Sequence, residues 1–393
     1  MSLDTPRLIA IVCPDYGELG HAMYFLQGLA LSVPPIVLLP ASLQASVGTQ
    51  TRQLWRTYTQ AEELWREIEA LRPDAVLLFS GYLLDLPPHS LLKTLRLLYR
   101  LRRQGITTLT TDPFLGLLNR PGALDFTQVL QAEGSPMSRA LRSWRVSLRL
   151  FLLRLALRHC VHLYPAPMER LHGATAAKAG MHSYFNPLPV PAPEEDDGRG
   201  IEGPALWLFV LSDIDYRLQL RRRGSNFPLQ VLDRLRDAQA QGRIAMLVGP
   251  PALTDILRPL LGSQDRITLH TGLDYDRYLH LLLRAEYAFF WNLYSFSLMH
   301  RVQAALPVLY FDEGHMVDIM PALHEAGIEL FYAGWHPRLL SLDLPLTTTA
   351  LLPLVQETRH HFVRITQVMG ACETSGALLR HLLSADQPGI ADA

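Results

Sequence analysis

Residues 289–315, FFWNLYSFSLMHRVQAALPVLYFDEGH, combine two apolar runs with a helical pattern between them. The first run ends at Asn292, a turn with Ser295 and Ser297 follows, and about ten residues of helical pattern lead to the second run. This order of strand, turn, helix and strand is typical of a parallel α/β unit. A helix that begins near Ser297 offers backbone N–H groups and partial positive charge to a phosphate. The loop from Asp312 follows the second strand, at the edge where open α/β sheets bind ligands.

The same stretch resembles the donor-binding core of the GT-B glycosyltransferases. Residues 304–308, AALPV, and residues 312–314, DEG, follow the pattern in which a small-residue segment with Pro-Val leads into a strand and an Asp-x-Gly loop. The resemblance implies a site for a nucleotide sugar that includes Ser295, Phe296, Ser297, His300, Asp312, Glu313, Gly314 and His315. The chain departs from many retaining members, because His300 stands where their second acidic residue would be and the turn before it has no acid. The donor, and retention or inversion, therefore stay open.

The composition is that of a globular protein. The chain is 49% hydrophobic and 19% charged, and its length of 393 residues favours two or three domains. Its net charge of -1 gives no sign of a nucleic-acid partner. The three cysteines, Cys13, Cys160 and Cys372, are far apart, as expected of a reduced cytoplasmic protein without a disulfide framework. We expect no signal peptide, because the polar N-terminus leads directly into a short strand. We expect no membrane-spanning helix, because no uncharged apolar run reaches about 18 residues.

Apolar runs alternate with helical patterns along the whole chain, which predicts doubly wound parallel sheets. In the first half, strands are predicted at 8–13, 36–39, 75–79, 107–111 and 161–164. A first helix is predicted to end near residue 30, and further helices are predicted at 51–71, 91–103 and 137–160. In the second half, strands are predicted at 205–211, 244–248, 267–270, 287–291 and 329–331. Helices are predicted at 227–240, 274–283 and 317–326 and over most of 348–383. A loop is predicted after residue 211.

A segment rich in proline and acidic residues, 187–203, has no hydrophobic period and is interpreted as a linker. We therefore predict two Rossmann-like domains facing a cleft, the GT-B architecture. Residues 1–186 form the acceptor-side domain and 204–365 the donor domain. Residues 366–393 form a terminal helix that packs back toward the first domain, and a tail.

The first half contains a candidate catalytic base. GT-B acceptor domains have a Gly-x-x-Gly-His turn after the first strand and an Asp after the fourth, and Gly17, Gly20, His21 and Asp112 match those positions. In inverting members such a His acts as general base and a carboxylate orients it, and its pKa near neutrality suits that role. The alternatives are that His21 only packs its helix and that Asp112, before Pro113, is a turn residue.

Further donor contacts are expected in the second half. Arg221, Arg222 and Arg223 follow the first strand of that half, where GT-B donor domains often contact the diphosphate, and guanidinium groups pair well with phosphate oxygens. The alternative is a solvated loop. The resemblance also places the nucleotide base near the turns that contain Gly249, Thr271, Gly272 and Leu273.

Two helical stretches combine arginines with leucines. Arg139, Arg142, Arg145, Arg149, Arg154 and Arg158 trace roughly one face of 137–160, and 91–103 repeats the theme. Such helices either lie on an anionic membrane surface or have a solvated basic face and a leucine face packed on the sheet.

The resemblance to the GT-B family implies a metal-independent glycosyltransferase, which we expect to be cytoplasmic, either free or peripheral at the inner face of the cell membrane. It would need no cofactor besides its nucleotide-diphosphate sugar substrate, and its acceptor would be an envelope glycan or a lipid-linked molecule. The rivals are a nucleotide-sugar epimerase of the same fold and a catalytically inactive scaffold, which the missing acidic pair favours.

Overall fold

In the computed structural model, the described residues are 7–29, 33–48, 54–81, 90–111, 136–172, 180–188, 205–311 and 321–384. The chain divides into two compact units. The first unit comprises residues 1–187 together with 369–393, and the second unit comprises residues 188–368. No helix within the described ranges is both long and apolar enough to cross a bilayer.

The first unit is built on a seven-stranded parallel sheet in the order β3-β2-β1-β4-β5-β6-β7. Its strands are β1 (Leu8–Val12), β2 (Ile36–Pro40), β3 (Arg56–Tyr58), β4 (Ala75–Phe79), β5 (Thr107–Thr111), β6 (Val161–Tyr164) and β7 (Met181–Ser183). The central strands β1 and β4 are buried along their whole length, as their unbroken apolar runs predict. The strand order reverses between them, which places the switch point of the doubly wound fold at their carboxyl ends.

The helices of this unit cover the sheet. They are α1 (Tyr16–Gln27), α2 (Ala61–Leu71), α3 (Leu91–Arg103), α4 (Pro136–Leu157) and the short α5 (Glu169–His172), with a 3-10 helix at Ala41–Ser46. Leu97, Leu101, Leu153 and Leu157 bring α3 and α4 into one core with the strands.

Two predictions for this unit are wrong in detail. Helix α1 begins at Tyr16, so that Gly17, Gly20 and His21 lie within the helix and not in a turn. The reason is the side chain of Asp15, which caps the helix by accepting from the N–H of Gly17 at 2.7 Å. The predicted helix at 51–71 contains strand β3 instead, and α2 starts only at Ala61, after a capping box of Gln60 and Glu63.

The second unit has a five-stranded parallel sheet in the order β10-β9-β8-β11-β12. Its strands are β8 (Leu206–Val210), β9 (Ile244–Val248), β10 (Ile267–His270), β11 (Tyr287–Phe290) and β12 (Val308–Tyr310). Aromatic side chains fill its core, and the rings of Phe209 and Phe289 stack with centroids 4.5 Å apart. Here the order reverses between β8 and β11, which is the second switch point.

The helices of the second unit are α6 (Asp213–Arg223), α7 (Phe227–Ala240), α8 (Pro251–Leu257), α9 (Tyr275–Arg284), α10 (Leu298–Gln303), α11 (Pro321–Phe331) and α12 (Thr348–Met369), with 3-10 helices at Gly224–Asn226 and Arg258–Leu260. Residues 329–331 are helical and not a strand, since α11 continues through them.

Two further predictions concern element length and type. Residues 213–223 form helix α6 and not a loop, because Ser212 caps its start and the arginines lie in its last turn, where the helix dipole favours cations. Helix α10 has 6 residues instead of about ten, because Ala305 turns into the left-handed region at φ 51°.

The last helix, α13 (Ser375–Ser384), returns to the first unit. The Ser375 N–H donates to Asn186 Oδ1 at 2.8 Å, and its hydroxyl donates to the Phe25 carbonyl at 2.8 Å. Asn186 in turn donates from Nδ2 to the Tyr24 carbonyl at 2.8 Å. These bonds join α13 to Asn186 and to the end of α1.

Candidate functional site

The candidate site lies at the switch point of the second unit, where the chain leaves β8 and β11. Ligands of open α/β sheets bind outside the carboxyl ends of the strands at this position. Ser212 follows β8, and residues 291–297 connect β11 to α10. We refer to residues 292–297 as the β11–α10 loop.

The start of this loop is fixed by hydrogen bonds. Asn292 Oδ1 accepts from the Tyr294 N–H at 2.7 Å, which closes a tight turn. The Tyr332 hydroxyl donates to the Leu293 carbonyl. The Tyr294 hydroxyl reaches across to His324 and donates to its carbonyl at 2.9 Å. These hydrogen bonds fix the start of the loop through contacts within the protein, which is the preorganisation that a binding site needs.

Its end is fixed in the same way. Ser297 is buried, and its hydroxyl lies 2.9 Å from the Tyr278 hydroxyl and 2.9 Å from that of Ser295. Ser295 is half-buried and lies nearer to solvent. Of the two serines predicted for the site, Ser295 is thus the more accessible, and Ser297 has a structural role as well.

Fewer backbone N–H groups are available here than the sequence predicted. The N–H groups of Leu298, Met299 and His300 donate to the carbonyls three residues earlier, at 3.0, 3.1 and 3.3 Å. Among the described residues, no backbone carbonyl lies at good hydrogen-bond geometry to the N–H groups of Ser295 and Ser297. These two amides are what the turn can offer to an anion.

His300 is buried directly behind this turn. Its Nε2 lies 3.0 Å from the Tyr275 hydroxyl, and burial lowers its pKa to about 4. The imidazole is therefore neutral at physiological pH. It cannot supply the negative charge of the acidic residue that it replaces in the family pattern.

Arg301 is a residue that the sequence analysis missed. Its side chain is completely buried, and burial lowers its pKa to about 9, which leaves the guanidinium charged at neutral pH. Its partners among the described residues are the backbone carbonyls of Leu282, Ala285, Glu286 and Pro307, to which the guanidinium donates. Arg301 thus ties α10 to the end of α9 and to the start of β12, and it satisfies helix carbonyls that would otherwise lack donors.

The predicted base-binding turns lie on the same edge of the sheet, because β9, β10 and β11 are parallel. Thr271 and Gly272 are exposed and Leu273 is half-buried. The Gly249 N–H donates to the His270 carbonyl at 3.0 Å, which joins the turn after β9 to the end of β10.

The three arginines occupy the last turn of α6, about 12 Å along the helix from its first turn. Arg223 is half-buried and donates to Asp343 Oδ1 at 3.0 Å and to Gln230 Oε1 at 3.3 Å. Arg221 and Arg222 are exposed. Arg223 therefore has a structural role, and the other two are the arginines of this cluster whose side chains lie at the surface.

In the first unit, His21 lies inside the core and not at the surface. Its Nε2 is hydrogen-bonded to the Tyr184 hydroxyl, and its Nδ1 lies 3.7 Å from Oε2 of Glu18. Tyr184 is fully buried, and burial raises its pKa well above the usual value. Glu18 was not among the predicted site residues, although its place one helical turn before His21 was a usable signal.

The switch point of the first unit lies between the ends of β1 and β4. Cys13 follows β1, and its thiol donates to the Ser80 carbonyl at 3.2 Å. Ser80 directly follows β4 with φ 57°, and its hydroxyl donates to the Thr111 carbonyl at 3.0 Å. A buried non-glycine residue in this left-handed conformation is strained, a condition found often near functional sites.

Five predicted site residues, Asp112, Asp312, Glu313, Gly314 and His315, lie outside the described residues. The carboxylate predicted to orient His21 is among them. Glu18 is the carboxylate that the structure places beside that imidazole.

No protein-family model matches the chain, and no curated protein does. Among solved structures, it is similar to the spinosyn rhamnosyltransferase SpnG, with 15% identity, a TM-score of 0.51 and coverage of 96% of this chain and 100% of the other. A second similar structure is a UDP-glucose:anthocyanidin 3-O-glucosyltransferase in complex with UDP, with 11% identity, a TM-score of 0.57 and coverage of 98% and 100%. A third is the UDP-GlcNAc 2-epimerase of Neisseria meningitidis bound to UDP-GlcNAc, with 11% identity, a TM-score of 0.56 and coverage of 96% and 99%.

The predicted fold class is confirmed by these similarities and by the two parallel sheets. The chain has the GT-B fold, which glycosyltransferases and UDP-GlcNAc 2-epimerases share.

Proposed function

We propose that the chain is a glycosyltransferase that uses a nucleotide-diphosphate sugar as donor. The observation that carries the proposal is the preorganised β11–α10 loop at the switch point of a parallel sheet in a chain of GT-B fold. The names of the similar structures support a nucleotide sugar as the ligand class, since they include UDP and UDP-GlcNAc.

In this proposal, the second unit binds the donor. The amides of Ser295 and Ser297 contact the diphosphate, where partial positive charge stabilises the negative charge that develops on the leaving group. Arg221 and Arg222 are candidates for a further diphosphate contact. The turns at Gly249 and Thr271 to Leu273 contact the nucleotide base.

The first unit is proposed to activate the acceptor through His21. The imidazole accepts the proton of an acceptor hydroxyl, the hydroxyl oxygen bonds to the anomeric carbon, and the nucleoside diphosphate leaves with the bonding electrons. Glu18 stabilises the imidazolium that forms. Because the Tyr184 hydroxyl occupies Nε2, either the acceptor hydroxyl replaces it there or Tyr184 relays the proton.

The acceptor is proposed to be a lipid-linked molecule at an anionic membrane. Helix α4 exposes an apolar stripe, whose residues recur every three or four positions: Met137, Leu141, Trp144, Leu148, Phe151 and Leu155. In the second half of the helix, Leu150, Leu153 and Leu157 pack on the core, so that the alternative in which the leucine face packs on the sheet holds for that half. Exposed Arg145 lies on this helix, and exposed Arg158 directly follows its last residue. An apolar stripe with arginines is suited to an anionic bilayer surface.

The donor site is tested with a thermal-shift panel of UDP-glucose, UDP-GlcNAc and TDP-rhamnose, followed by calorimetry with the best ligand. A ligand that binds only the folded state raises the melting temperature. We expect Ser295→Glu to weaken binding about tenfold or more, or about 1.4 kcal/mol, because a carboxylate repels the diphosphate. Ser295→Gln has nearly the same size without the charge and should retain most of the affinity. Equal affinities of the two variants would remove this turn from the site.

An epimerase is the second candidate, because a UDP-GlcNAc 2-epimerase is among the similar structures. It would convert its nucleotide sugar without any acceptor. Product analysis by NMR separates the two functions, since an epimer that accumulates in acceptor-free buffer contradicts the transferase.

A further inference from the structure

Helix α11 and the segment after it bring three metal-binding side chains together. The ligand atoms of His324, Glu325 and His336 all lie within 4.8 Å of one another. His324 is buried, with 6% of its surface exposed, whereas the other two side chains reach into solvent. The set combines two imidazoles with one carboxylate.

The hydrogen bonds of Tyr294 determine which nitrogen of His324 can bind a metal. The Tyr294 hydroxyl donates its proton to the His324 carbonyl at 2.9 Å, so that it can only accept from the ring. Nδ1 lies 3.0 Å from this oxygen and must therefore carry the ring proton. The lone pair of Nε2 then remains for a metal ion. Metal-binding histidines are usually oriented in this way, by a second hydrogen bond from the other ring nitrogen.

We propose that His324, Glu325 and His336 bind a divalent transition-metal ion, with Zn²⁺ as the best match. Two imidazoles and a carboxylate, completed by water, are a common zinc ligand set. Metal–ligand bonds of about 2.1 Å in tetrahedral geometry place the ligand atoms about 3.4 Å apart. The ligand atoms of the three side chains lie within 4.8 Å of one another, so that they must move closer together when a metal binds. His336 Nε2 already lies 4.0 Å from Glu325 Oε2, and both side chains are more than half exposed and free of the core.

The site would connect α11 to the β11–α10 loop. Tyr294 reaches α11 because Gly327 lacks a side chain, since a Cβ atom there would lie 2.2 Å from the tyrosine ring. A metal on His324 would fix the ring that holds the Tyr294 hydroxyl, and His336 would join the segment after α11 to the same point. We expect a local stabilisation of the second unit, which does not depend on the proposed transferase function.

The experiment uses the full chain after removal of metals by a chelator. Zn²⁺ binding is measured by competition with a chromophoric chelator, and Co²⁺ is added in place of zinc to record its visible absorption. Glu325→Gln and His336→Gln change exposed ligands with little effect on folding. His280→Gln removes an exposed histidine of α9 and is the matched control.

We expect one zinc ion per chain, a tetrahedral Co²⁺ spectrum without a thiolate band, and a rise in melting temperature with Zn²⁺. Glu325→Gln and His336→Gln should each weaken binding about tenfold or more, and His280→Gln should not. The proposal is overturned if the wild-type chain binds no zinc, or if the two ligand variants bind it as tightly as the control. A thiolate band would place the metal on a cysteine and would also overturn it.

Discussion

The three residues Glu18, His21 and Tyr184 form a buried polar chain in the first unit. A carboxylate, an imidazole and a phenol in this order are able to hold and move a proton. The same chain of contacts would also serve as a purely structural network. Substitutions that retain volume and polarity separate these two roles.

We predict that His21→Gln lowers turnover at least about a hundredfold, the usual scale for the loss of a general base. Donor affinity should remain unchanged, because the donor is assigned to the second unit. Tyr184→Phe distinguishes the two proton paths: if Tyr184 relays the proton, turnover falls with it, and if the acceptor displaces the hydroxyl, turnover is retained. Steady-state kinetics and calorimetry are measured on the same preparations. Wild-type turnover in His21→Gln would leave the residue with a packing role alone.

His300 should make the stability of the protein depend on pH. Its folded-state pKa of about 4 lies below the ordinary value of 6.5, so that the unfolded chain takes up the proton first as the pH falls. The stability that neutral His300 contributes is complete above about pH 6.5. It decreases toward pH 4, by about 3 kcal/mol in total.

Urea unfolding of the wild type and of His300→Gln at several pH values checks this prediction. The difference between the two free energies of unfolding isolates His300, because buried His162, whose pKa is also lowered, is present in both. The prediction is contradicted if the difference in free energy of unfolding between the wild type and His300→Gln is the same at pH 7 and at pH 4.

Among the secondary-structure elements, α10 and α4 are opposite cases. Helix α10 is too short to be stable alone, and the buried Arg301 with its four carbonyl partners holds it in place. Helix α4 is long, and every described side chain from 137 to 148 is exposed. An amphipathic helix normally buries its apolar stripe, so that the exposed stripe of α4 indicates a binding surface.

We predict that α4 binds anionic vesicles through both charge and apolar contact. Each arginine near such a surface contributes roughly 1 kcal/mol, so that Arg145→Gln with Arg158→Gln should weaken binding roughly 30-fold. Trp144→Gln with Phe151→Gln should weaken it as well, because the stripe loses its two largest exposed aromatic side chains.

Vesicle co-sedimentation at low and high salt measures both effects. Arg258→Gln with Arg338→Gln removes two exposed charges from the second unit and serves as the control. Neutral vesicles provide no surface potential and should bind weakly. If the wild-type protein stays in the supernatant with anionic vesicles at low salt, the acceptor is a soluble molecule.

At the scale of the whole molecule, each unit has its own sheet and its own core. A ligand of one unit should therefore protect that unit from hydrogen exchange first. With a saturating nucleotide sugar, we predict slower exchange in the turns at 249, 271–273 and 295–300. Strands β1 and β4 should exchange as they do without ligand.

Hydrogen exchange with mass spectrometry tests this assignment of the donor to the second unit. The nucleoside monophosphate is the control, since it should protect the base turns more than residues 295–300. Protection confined to the first unit would reverse the assignment of donor and acceptor.

The sequence by itself determined the fold class and most strands. Runs such as 8–12, 75–79 and 287–290 are apolar at every position and only four or five residues long, which is typical of strands buried on both faces. The order of strands and helices then left a doubly wound parallel sheet as the expected arrangement. The Ser295–Ser297 turn was found because a local pattern defines it.

Only the tertiary structure decided which side chains meet. Arg301 binds carbonyls between 6 and 19 residues away, and Tyr184 reaches His21 across 163 residues. Neither contact has a local signature, because hydrogen-bond partners depend on how elements pack and not on spacing along the chain. The stripe of α4 has the same periodicity as a buried one, and only the folded structure showed that its described side chains are exposed.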